Sequence, residues 1–113
     1  MSRKVKLGWK VVRVCDKKFC SSNISNLEYS FNRWTKPLAG WGPLCVFTDR
    51  NYARAFAVEM TLWTSMKCYR TVRCKYFPSE EGAVWDKDKI YVVSVLSLPP
   101  GKALASAVKL LKQ

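Results

Sequence analysis

The segment from Met66 to Phe77 is two-faced at a period of two, and no other feature limits the fold so sharply. Cys68, Arg70, Val72, Cys74 and Tyr76 fall on one side, and Tyr69, Thr71, Arg73, Lys75 and Phe77 fall on the other. That period belongs to an extended strand, because a helix scatters alternate residues around its axis. Pro78 ends the run. The chain is therefore expected to build a sheet around this strand.

Other segments supply neighbours. Trp9 to Cys15 is rich in β-formers and reads as a strand, with Asp16-Lys17-Lys18 as a turn and Phe19 to Ser22 returning as its hairpin partner. Leu27 to Trp34 alternates between Leu27, Tyr29 and Phe31 on one face and Glu28, Ser30 and Asn32 on the other, as a half-buried strand does. Thr35 to Pro43 reads as loop, Leu44 to Phe47 and Ile90 to Leu96 as short strands, and the stretch after Pro78 as an acidic loop. Two helices complete the expectation. The first follows Phe47, with Thr48 as N-cap, Asp49 at the positive end of the helix dipole, and Phe47 and Tyr52 placed as a hydrophobic staple. The second spans Lys102 to Lys112, where Leu104, Val108 and Leu111 form one stripe. The expected fold class is α+β: a mostly antiparallel twisted sheet of about five to six strands with two helices packed on it.

A chain of 113 residues has room for one core, so residues 1–113 are expected to form a single domain. With 20 Lys and Arg against eight Asp and Glu, the formal net charge is +12, a field that attracts polyanions whatever the fold beneath it. Arg3, Lys4, Lys6, Lys10, Arg13, Lys17 and Lys18 crowd the first strand, and Lys67, Arg70, Arg73 and Lys75 form a second group. The acids gather between Glu80 and Asp88. No stretch approaches the ~20 apolar residues of a spanning helix, and the N-terminus carries no secretory pattern, so a cytoplasmic protein off the membrane is expected. Five cysteines, at 15, 20, 45, 68 and 74, then read as reduced thiols.

Several chemistries are excluded by residue type. There is no histidine, which removes Ser-His-Asp and Cys-His nucleophile systems and mixed Cys/His zinc sites. The cysteine spacings Cys-x4-Cys and Cys-x5-Cys lack the tight zinc-knuckle geometry, so neither a metal nor another cofactor is implied. What remains is surface chemistry. Tyr69, Arg73, Lys75 and Phe77 mix aromatic planes with cations on one strand face, the combination that stacks bases and neutralises phosphates. An ordinary solvated face, with its aromatics under the terminal helix, accounts for the same residues. Lys10, Lys17 and Lys18 add long-range attraction. The loop from Trp34 to Trp41 carries two further large rings, and Arg13 sits among apolar neighbours, where burial demands a partner such as Glu28 or Glu81.

Trp41-Gly42-Pro43-Leu44-Cys45-Val46-Phe47-Thr48-Asp49 with Ala53, Phe56 and Ala57, the opening Lys10-Val11-Val12-Arg13-Val14, and Tyr76-Phe77-Pro78-Ser79-Glu80-Glu81 together resemble small uncharacterised domains of microbes and their viruses. The Gly-x-x-x-x-Phe-Thr-Asp-x-x-x-Ala-x-x-Phe-Ala spacing is also similar to the strand-to-helix step of ADP-ribosyltransferase-like folds. That resemblance implies a nucleotide pocket in which Arg13 and Ser21 hold a nicotinamide dinucleotide and Glu81 supports transfer. The Glu-x-Glu of the family and the His of its diphtheria-toxin-like branch are both missing. Three functions follow as expectations: a non-enzymatic module that binds nucleic acid or another polyanion, a divergent nucleotide-handling enzyme, and a mobile-element protein that docks on an acidic protein partner.

Overall fold

The computed structural model describes residues 4–15, 18–21, 27–64, 68–85, 92–94, 98 and 101–112. Among them the chain order is β1 (Lys6–Cys15), β2 (Lys18–Ser21), β3 (Glu28–Tyr29), β4 (Trp34–Thr35), β5 (Leu44–Phe47), α1 (Arg50–Thr64), β6 (Cys68–Pro78), β7 (Ala83–Trp85), β8 (Val92–Ser94) and β9 (Lys102–Leu110). β7 and β8 form a separate two-stranded sheet. The remaining strands form one sheet in which β1 pairs with β5, β5 with β9, β9 with β6, and β6 with β1 again. That circuit is a closed four-stranded antiparallel barrel. β2 and β3 extend it beside β1, and β4 extends it beside β9.

The expected twisted antiparallel sheet with two helices packed on it is thus corrected: the fold is mostly sheet, closed on itself, with one helix among the described residues. The second expected helix is β9. Its Lys, Ala and Leu are good helix formers, but the segment closes the barrel between β5 and β6, and that pairing overrides propensity. Small side chains suit the place. A four-stranded barrel has a narrow interior, and Ala105 fills its part of it while fully buried. The register shift between Phe77 and Pro78 hides the period, because Ser106 is skipped as pairing passes from Ala107 to Ala105.

The barrel interior is the main core: Val12, Leu44, Val46, Val72, Cys74, Tyr76, Ala105, Val108 and Leu110, with Leu27 and Tyr29. A second cluster lies outside the barrel, where α1 covers Val11 and Phe47 with Ala53 and Ala57. Asp49 caps α1, its carboxylate accepting from the Asn51 N–H at 2.7 Å and the Tyr52 N–H at 3.3 Å. Thr48, the expected cap, donates to the Gly101 carbonyl instead, through both its backbone N–H and its hydroxyl. Phe47 meets Phe56, with ring centroids 5.4 Å apart. The strand expected over Leu27 to Trp34 keeps its alternation but breaks at Asn32, whose φ is 60°. Gly8 lets β1 cross β5: a Cβ there would lie 2.8 Å from the Phe47 carbonyl oxygen and 2.9 Å from the Tyr76 ring. No helix among the described residues is long and apolar enough to cross a membrane.

Candidate nucleic-acid interface

The β1–β6 pair sorts its side chains by parity. Gly8, Lys10 and Val12 of β1 lie on the barrel side with Val72, Cys74 and Tyr76 of β6. Leu7, Trp9, Val11 and Arg13 lie on the outer side, opposite Lys75, Arg73, Thr71 and Tyr69 in that order. Register then carries the outer face across the sheet. Lys75 faces Lys109 of β9, Lys109 faces Trp34 of β4, and Phe77 faces Ala107.

These pairings assemble an exposed surface of rings and cations. The Trp34 and Phe77 rings are 4.7 Å apart between centroids and tilted by 31°, and the Lys109 amine lies 5.6 Å from the Trp34 centroid. With Lys36, Ser106 and Ala107 these two rings border a hollow of about 520 Å³. Lys75 and Arg73 continue the surface as exposed side chains, and Trp9 lies across from Arg73 with the Arg50 guanidinium 5.4 Å from its ring. Leu7, 54% exposed, lies opposite Lys75. Chemically, this strip offers flat faces for stacking and mobile cations for phosphate, with no carboxylate in the strand register between Trp9 and Trp34.

Of the expected residues, Arg73, Lys75 and Phe77 belong to this face. Tyr69 is on the same side of the same strand but half-buried under α1, packed on the helix cluster. Lys10 is inside the barrel, 5% exposed, and its amine donates to the Cys45 carbonyl at 2.6 Å and lies 5.3 Å from the Tyr29 centroid. The β1–β5 ladder is a single pair long, Trp9 with Phe47, and Lys10 bonds the backbone just beyond it. Burial pushes the Lys10 pKa below its usual range, and burial raises the Cys74 thiol to about 12 and the Tyr29 phenol well above its ordinary value. Lys17 lies outside the described residues. Lys18 is in β2, opposite Cys15.

Sequence reasoning missed Trp34, Lys109 and Lys36 as partners of Phe77 and Lys75. Only the return of β9 and β4 to the same sheet brings them there, though Trp34 was conspicuous as a large ring beside cations.

The nucleotide pocket is not gathered. Arg13 and Ser21 do lie on paired strands, with Arg13 opposite Cys20 and Ser21 opposite Val12. Glu81, however, follows the far end of β6 from Tyr69, the residue opposite Arg13, which is roughly 30 Å of extended strand away. The register instead lines Arg13, Cys20 and Glu28 across three strands. Glu81 and Glu80 line a different hollow of about 370 Å³ with Trp41 and Trp85. Cys45, Cys68 and Cys74 are free thiols, and no metal-sized cluster of ligands occurs among the described residues. No protein-family model, curated protein or solved structure matches this chain.

Proposed function

We propose that this chain is a binding module for nucleic acid, held by the outer face of β1, β6, β9 and β4. The observation that carries the reading is the Trp34–Phe77 ring pair with Lys109 over it, continued by Lys75 and Arg73 in register. Base–aromatic stacking tolerates any sequence, and lysines and arginines beside the rings neutralise the backbone that stacked bases bring with them. The net charge of +12 extends the attraction beyond contact range. Binding of a labelled single-stranded oligonucleotide and a duplex, measured across a salt series, tests this. Log affinity is expected to fall linearly with log salt, more gently for the single strand, and Arg73→Glu with Lys75→Glu is expected to abolish binding while the fold survives. Salt-insensitive binding, or none to either form, overturns the proposal.

A second reading, docking on an acidic protein, is supported by a different surface. Val58 and Leu62, one turn apart on α1, are 61 and 76% exposed, an apolar stripe on a strongly cationic molecule. An acidic amphipathic peptide that binds the parent but not Leu62→Ser, with oligonucleotide binding absent, would favour it.

A further inference from the structure

We infer that the groove where α1 meets the outer face is a seat for the terminal phosphate of a single nucleic-acid strand, an inference that rests on the nucleic-acid reading and names its substrate class. Followed from Trp34 and Phe77 over Lys75 and Arg73, the face reaches Trp9 and then runs beneath α1, which packs on Val11 and Tyr69. A bound strand cannot continue along the sheet past that point. Climbing over the helix would take it past Val58 at the groove's edge onto Leu62, an apolar side chain with nothing to offer a phosphate. The face therefore has a closed end.

That end is basic and aromatic. The groove holds about 300 Å³, and its wall includes Trp9, Tyr69, Thr71, Val58, Arg50 and Arg54 and no acidic side chain. Arg50 and Arg54 are one helical turn apart and so project to the same side of α1, toward the sheet. Arg50 already lies over the Trp9 ring. Arg70 contributes to the wall, but its guanidinium is 5.6 Å from the Phe19 ring. Two guanidiniums match a terminal phosphomonoester better than an internal diester, because the monoester carries up to two charges and three free oxygens that planar forks can grip bidentately. The Trp9 and Tyr69 rings beside them give the attached base or sugar an apolar wall.

The test compares one oligonucleotide sequence carrying a 5′-phosphate, a 3′-phosphate or hydroxyls at both ends. A phosphate at one of the two ends is expected to tighten binding about tenfold. Arg54→Gln is expected to erase that gain and leave the hydroxyl-ended strand bound as before, with thermal melting confirming the fold. Equal affinity for all three strands overturns the inference while the nucleic-acid reading stands. If no strand binds but a nucleoside monophosphate does, and Arg54→Gln removes it, the groove stands and the nucleic-acid reading falls. A phosphotyrosine peptide that outcompetes the phosphorylated strand overturns the assigned ligand.

Discussion

Lys10 and Lys75 stand on neighbouring strands of one ladder, and their fates are opposite. Lys75 projects from the outer face beside Lys109, exposed to water. Lys10 is inside the barrel, where its amine closes the short β1–β5 seam by bonding the Cys45 carbonyl. The difference between the two faces is one of surroundings rather than residue type. Outside, a cation is hydrated, mobile and free to meet a phosphate. Inside, the same cation loses its water, and one carbonyl and the face of Tyr29 offset only part of that loss. Basic residues counted along a strand therefore overstate its binding surface. Parity in the strand separates the residues that can reach a ligand from those that hold the barrel shut.

Charge reversal should break this comparison most visibly. Lys10→Glu places an uncompensated carboxylate among Val12, Cys74 and Tyr29 and is expected to cost about 3–5 kcal/mol, measured by urea unfolding. Lys75→Glu, on the other face, should change stability by no more than ~0.5 kcal/mol yet weaken oligonucleotide binding. Equal destabilisation by the two would refute the assignment of faces. Next in size is Gly8→Ala, whose new methyl group meets the Phe47 carbonyl and the Tyr76 ring where β1 crosses β5. A loss of about 1–3 kcal/mol is expected, and a neutral result would show that the crossing is looser than the register implies. On the outer face, Trp34→Ala should reduce single-strand affinity by about 1–3 kcal/mol, the worth of one stacked base. An unchanged affinity would remove Trp34 from the interface.

The smallest effect is in the pH dependence and concerns the interior alone. Lys10 has a native pKa below its unfolded value of 10.5, so just below pH 10.5 the unfolded chain holds more protons at this residue. Its contribution to stability accordingly improves as pH rises toward 10.5. Cys74 works the other way: its pKa rises from 9.0 to about 12, so its contribution is full below pH 9 and is lost as pH climbs above that. Lys10→Met keeps the apolar stem and removes only the first effect. Any stability advantage of Lys10→Met over the parent should therefore shrink as pH rises to 10.5. Parallel curves in urea titrations at stepped pH would mean that the Lys10 amine is solvated after all.

Much of the secondary structure was legible along the chain. Period-two alternation marked β6, β-formers marked β1, and an apolar run followed by Asp49 marked β5 and the start of α1. The Lys102–Lys112 segment was misread because Ala, Leu and Lys have no preference strong enough to oppose a sheet edge that needs closing. Within the candidate interface, Arg73, Lys75 and Phe77 were legible because a strand shows its faces locally. Trp34 and Lys109 were not, because nothing short-range says that β4 and β9 pair with each other or return to β6.

By itself, the sequence determined that this chain is cationic, without histidine, and built around a two-faced strand, since charge and side-chain parity are local properties of the covalent chain. Only the tertiary structure decided which cations of the β1–β6 pair became part of the barrel's interior. Burial is set by closure of the circuit β1–β5–β9–β6, whose contacts join residues far apart in the chain, and closure places Lys10 inside and leaves Lys75 for solvent.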